Sequence, residues 1–160
     1  MSHYDSTLEQ PKAREVIEWA VGVLRADGAL HQLLELEGEV VPGEVVMAHE
    51  QQAGADGLPD RFLVVRELVE SGGRLQTFSG VDSIPLQVMA ECDPRQPAHV
   101  QWHEEVHARI YELLVGERPQ VETGSALTPV RQTRRPARPL WVQDDQRYAS
   151  TATYRTTIEP

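Results

Sequence analysis

Apolar residues recur with helical spacing in two separate blocks of the chain and with strand spacing between and after them. Val16, Ile17, Ala20, Val23 and Leu24 mark the first helical block. Thr7 and Gln10 form a capping box ahead of it, and Pro11 suits a first turn, where its missing N–H is no loss. Residues 1–10 are polar and read as a flexible N-terminal segment. The pattern pauses at Ala26, Asp27 and Gly28. Asp27 then caps a short second helix that carries Leu30, Leu33 and Leu34 on one face and ends at Gly38.

The period then shortens. VVPGEVVMAHEQQ reads as a strand with a turn at Pro42 and Gly43, and QQAGADGLPD as a loop. RFLVVRELVE is a strand with at least one buried face. LQTFSGVDSIPLQVMAEC reads as two strands, with Gly80 and Pro85 at a bulge or an edge. A loop with Pro97 at a first-turn position leads into a helix over 98–115, which Gly116 and Pro119 stop. On a wheel of about 100° per residue, Trp102, Val106, Ile110, Leu113 and Leu114 form its apolar stripe.

Residues 117–141 are polar and rich in Pro and Arg, so they read as an extended arm or loop with short strands rather than core. In the closing RYASTATYRTTIEP, Tyr148, Ser150, Ala152, Tyr154, Thr156 and Ile158 share one parity. That predicts a long strand with one more apolar face. The element order is helix, short helix, three strands, helix, arm, strand. It specifies an α+β fold, a mostly antiparallel sheet covered by two main helices, in a single domain over 11–160.

Composition narrows the function. The chain has 160 residues, 40% hydrophobic and 25% charged, with a net charge of −10 and a pI near 5.0. Such a chain repels nucleic acid and acidic membrane except where basic residues gather. Cys92 is the one cysteine, so no internal disulfide forms, and a reducing compartment is favoured. The N-terminus carries no basic stretch followed by an apolar run, and no apolar stretch approaches a membrane span. These features predict a soluble cytoplasmic protein.

Three features invite a chemical reading. HEEVH, residues 103–107, matches the H-E-x-x-H pattern, in which two imidazoles one turn apart hold zinc and a glutamate acts as base. A zinc-dependent hydrolase with His103 and His107 as ligands and Glu104 as general base is the alternative function. Against it, Ile110 and Leu113 stand where the extended motif places its glycine and third histidine. Glu122 is the remaining candidate ligand, in a segment that does not read as a helix. Both histidines also border the apolar stripe, so core packing accounts for them without a metal. The other histidines, His3, His31, His49 and His99, have no helpful spacing.

The second feature is Arg131, Arg134, Arg135 and Arg138, gathered in an otherwise acidic chain. They suit docking on an acidic partner surface better than on phosphate, because the interleaved aromatics of single-strand binders are missing. The third is Cys92, with no His or Lys close in sequence, which reads as a packed strand end rather than a nucleophile.

The arrangement resembles the phage tail terminator (tail completion) family. The opening helix followed by ADGALHQLLE resembles that family's start. SIPLQVMAEC then runs through a loop into PAHVQWHEEVHARIYELLVG, and a polar stretch leads to DDQRYASTATYRTTIE. The resemblance covers about residues 12–159. It implies a small α+β subunit that assembles as a hexameric ring on the last ring of the tail tube, ends tube polymerisation and offers a surface to the head–tail connector. The partners it implies are copies of itself, the tail tube protein and the connector, with no membrane. DNA passes through the acidic channel without specific binding. The location it implies is the virion, at the head–tail interface, after assembly in the host cytoplasm. It brings no catalytic residue, metal or cofactor. The arginine arm and the polar N-terminus depart from the family pattern. The arm, through Arg131, Arg134, Arg135 and Arg138, is the candidate subunit or partner interface.

Overall fold

The long ladder between two strands organises the molecule. In the computed structural model, β3 (Ser83–Cys92) and β6 (Arg147–Thr157) run antiparallel, in register from Ser83 opposite Thr157 to Cys92 opposite Tyr148. The structure describes residues 6–34, 45–47, 61–67, 83–92, 99–121, 126–143 and 147–158. On the other side of β3 lies β2 (Arg61–Glu67), also antiparallel, and beyond it β1 (Val45–Met47), which is parallel to β2. At the opposite edge, β4 (Arg131–Arg134) and β5 (Leu140–Val142) pair with the two ends of β6. The six strands thus form one mostly antiparallel sheet. The described part of β2 ends opposite Leu86, and Pro85, one residue earlier, is paired opposite Arg155 of β6.

Helices α1 (Ser6–Ala26), α2 (Gly28–Leu34) and α3 (His99–Leu114) supply the cover. α1 starts at Ser6, inside the first ten residues, so Pro11 stands beyond the first turn. Val16, Ala20 and Leu24 of α1, Trp102, Val106, Ile110 and Leu114 of α3, and Leu63, Val65, Leu86, Val88, Ala152 and Tyr154 of the sheet form one buried cluster. The stripe and parities read from the sequence therefore point inward. Leu113, at the stripe's edge, is only half-buried.

Leu127 and Val130 belong to the same core. This corrects the reading of 117–141 as lying outside it. The apolar residues are too sparse to show a period, yet edge pairing with β6 and the core contacts absorb them. Gly116 ends α3 with φ +88°, and its N–H donates to the Val130 carbonyl at 2.8 Å. The expected strand at LQTF, the turn at Pro42 and Gly43, Gly38, Gly80 and Pro97 lie outside the described residues.

A seven-residue helix is marginal alone. α2 is held at both ends. Asp27 Oδ2 accepts the Leu30 N–H at 2.8 Å, the predicted cap. The same carboxylate takes a two-pronged contact from Arg109 of α3, at 2.8 and 2.5 Å. At the other end, the Leu33 carbonyl accepts from Trp102 Nε1 at 2.5 Å and from Arg61 at 3.3 Å. Asp27 meets Arg109 and Leu33 meets Trp102, so α2 runs antiparallel to α3 with matched spacing.

Arg109 holds the Asp27 carboxyl below its ordinary pKa, chiefly by the side-chain hydrogen bond. Asp27→Ala removes the cap and is expected to cost about 1–2 kcal/mol. Asp27→Asn, which keeps an acceptor for Leu30, is expected to cost less. Urea unfolding of the three proteins at neutral pH checks the order; equal midpoints would show that the cap contributes nothing.

Candidate functional site

The two histidines of HEEVH converge, as their spacing predicts, on a hydroxyl. β6 turns its even-numbered residues toward α3, and Ser150 stands among Tyr148, Ala152 and Tyr154 on that face. His103 Nδ1 lies 2.5 Å from Ser150 Oγ, and His107 Nε2 lies 2.8 Å from the same oxygen. On its far side, His103 Nε2 lies 3.3 Å from the sulfur of Cys92, the inward-facing last residue of β3. Both histidines, Cys92 and Ser150 are buried. Cys92 thus sits at a packed strand end, and its imidazole neighbour comes from the next helix.

Proton counting sets the direction of this chain. Ser150 has one proton, so it donates to one imidazole and accepts from the other. If His107 Nε2–H donates to Ser150 and Ser150 donates to His103 Nδ1, then His103 Nε2–H faces the sulfur. His107 Nδ1, which is buried and without a partner, is then a bare lone pair. The reverse direction strands a buried N–H there instead, the costlier defect. The first direction is the one the burial supports.

Burial pushes the His107 pKa down to about 4, only partly opposed by a hydrogen bond to the Ser150 backbone, so the ring is neutral at pH 7. Edge-to-face contact with Trp102, with ring centroids 4.8 Å apart, fixes the His103 ring.

As a zinc site the arrangement is incomplete. The point on which both imidazoles converge is taken by the serine oxygen, and Glu104 and Glu105 point to solvent. Among the described residues, no group of three His, Cys, Asp or Glu side chains is placed to hold a metal ion. Glu122 lies outside the described residues. What the cluster does is tie α3 to both central strands.

The arginine segment lies beside it. A cavity of about 100 Å³ separates α3 from the stretch joining β4 to β5, with His103, Glu104 and His107 on one wall and Pro136, Arg138 and Pro139 on the other. Arg131, Arg134, Arg135 and Arg138 are all exposed. Arg131 and Arg134 are on β4, which bulges between Gln132 and Arg134, while Arg135 and Arg138 are in the connecting stretch. The four arginines are neighbours along the chain, but nothing in the sequence shows that their segment borders the histidines. Ser150 was legible as an inward residue and not as the partner of His103 and His107. Among the described residues, no helix is long and apolar enough to cross a membrane.

No family model and no curated protein matches the sequence. Among solved structures, the fold is similar to a chain described as "Virion of native gene transfer agent (GTA) particle", with TM-score 0.58 and 16% identity over 88% of this chain and 92% of that one. A second solved chain aligns over 99% of this chain and 98% of its own, at TM-score 0.46 and 10% identity, and carries no argument.

Two outcomes test the cluster. Ser150→Ala leaves both imidazoles short of a partner and is expected to destabilise by roughly 2 kcal/mol. His107 titrates at about 4 when folded against an ordinary 6.5. The unfolded chain therefore binds more protons as pH falls from about 6.5 to 4. Over that window His107 withdraws about 3 kcal/mol of stability, and below it no more. Urea midpoints measured from pH 7 to pH 4 should fall steeply for the wild type and less steeply for His107→Gln. Identical slopes would show that His107 does not titrate in this range.

Proposed function

We propose that the chain is a structural subunit of a phage-like virion that caps the tail tube as a hexameric ring, ends tube polymerisation and forms the surface on which the head–tail connector sits. The observation that carries this reading is the fold similarity to a virion chain over nearly the full length of both molecules. The order of elements along the sequence, from the opening helix and ADGALHQLLE to the long closing strand, supports the terminator role within that class.

The proposed partners are further copies of the chain, the tail tube protein and the connector. The net charge of −10 suits a channel that DNA passes without being held. The proposed location is the head–tail interface of the virion, after assembly in the host cytoplasm. The proposal assigns no catalytic residue, metal or cofactor. His103, His107 and Ser150 act in it as internal fastening for α3.

Electron microscopy of particles from a producer lacking this gene tests the role. Over-long tubes without heads are expected, with normal length and joining restored when the gene is supplied in trans. Tails of normal length joined to heads in its absence would rule the role out.

A further inference from the structure

Four large hydrophobic side chains are exposed among the described residues: Val100 at 41%, Tyr111 at 46%, Leu140 at 69% and Trp141 at 48%. They fall into two pairs with opposite electrostatic surroundings. Val100 and Tyr111 are exposed on α3, in one helical stripe with Glu104 and Ala108. At its N-terminal end, Val100 and Glu104 also line the cavity bordered by Pro136–Pro139, and toward Tyr111 the stripe leaves that cavity. Glu105 and Glu112 flank the stripe, and both are exposed. That face is apolar and acidic.

Leu140 and Trp141 lie on β5, directly after the four arginines. No acidic residue occurs between positions 123 and 143. Leu140 pairs with Ala149 and Trp141 with Tyr148, so the two side chains stand on opposite faces of an exposed edge. Trp141 is braced edge-to-face on Tyr148, with centroids 5.2 Å apart. This rim is apolar and basic. Among the described residues, none of the four arginines has an ion-pair partner, whereas Arg109 is engaged by Asp27 and Glu112. Glu104 and Arg138 border the same cavity without pairing.

We infer that the rim formed by β4, Arg135–Arg138 and β5 docks on the outward face of α3 in a second copy of this chain. Basic charge meets acidic charge, and each side brings an aromatic anchor, Trp141 on the rim and Tyr111 on α3, of the kind that carries interface energy, while Leu140 extends the apolar edge on its other face. The two surfaces differ, so each contact leaves a free rim at one end and a free α3 face at the other. Such a contact adds copies until rotation closes a ring. The inference rests on the ring reading above and supplies its contact. A chain of net charge −10 resists random self-association. A concentrated basic rim gives one orientation in which that repulsion is reversed.

Native mass spectrometry and sedimentation of the full chain test this at low salt, with a charge-reversal swap. One variant carries Arg131→Glu, Arg134→Glu, Arg135→Glu and Arg138→Glu; the other carries Glu104→Arg and Glu105→Arg. The wild type is expected to form a closed oligomer that weakens as salt rises. Each variant alone should associate on the order of tenfold more weakly or worse. Mixed in equal amounts, the two should recover assembly, because each acidic rim then meets a basic α3 face. Leu140→Ser with Trp141→Ser, which leaves every charge in place, should weaken assembly by a similar factor.

Variants that assemble like the wild type would overturn the inference. So would a mixture that stays as weak as its parts while the serine variant assembles normally, an isolated two-fold dimer, or a monomeric wild type. A monomeric wild type whose arginines are needed to bind duplex DNA would assign the rim to nucleic acid instead. The tail-length assay is scored without reference to these results, so failure of the contact and failure of the terminator reading are distinguishable.

Discussion

The position of α3 depends on one buried hydroxyl. α3 is the element that α2, the sheet and the arginine segment all meet, and its inward stripe includes two imidazoles. Burying two imidazoles against a sheet with no partners would cost several kcal/mol, enough to cancel much of the apolar gain along the stripe. Ser150 removes most of that cost by meeting both rings at one oxygen. The β3–β6 register places it opposite Ala90 and two residues from Ala152, so small side chains surround it and the rings have room. From the other side, the matched pins of α2 at Arg109 and Trp102 fix how far α3 can slide. Register in the sheet and register between the helices therefore determine each other.

Much of this was legible in the sequence, and the failures have definite causes. The α3 stripe and the β6 parity are dense local patterns, and both point inward as read. The Asp27 cap is local and was legible for the same reason. HEEVH is a half success. Its spacing correctly implies that the rings converge, but what fills the convergence comes from a strand 43 and 47 positions away. Helix spacing carries no information about how a helix sits over a sheet. The arginine segment shows the same limit from the other direction. Its proline and arginine content reads as loop, yet β4 and β5 are strands because β6 offers them a partner. Strand formation at an edge is set by the neighbour more than by the residue. The parallel pairing of β1 with β2 left no trace in composition.

The free edge is built against simple strand addition. β4 and β5 are short, β4 is bulged, prolines interrupt the stretch between them, and the exposed side chains are largely arginine. Each of these blunts an edge. An edge so protected would ordinarily be polar throughout, yet Leu140 and Trp141 stand exposed on its two faces. The net charge of −10 opposes random association of copies, and the backbone at this edge is poorly suited to ladder formation. The apolar residues there can still engage through side chains.

The division of labour in α3 follows from the same geometry. Its inward residues are consumed by the fold, since Trp102, His103, Val106, His107, Ile110 and Leu114 are all buried and packed or hydrogen-bonded. None of them can change partners without loosening the sheet. Its outward residues have no such duty, because Val100, Glu104, Ala108 and Tyr111 face solvent, and Glu104 makes no ion pair among the described residues. A helix fastened this firmly on one side is a rigid platform on the other, and a contact made to it requires little reordering. The two imidazoles of HEEVH meet Ser150 and Cys92 and so fasten α3 to both central strands.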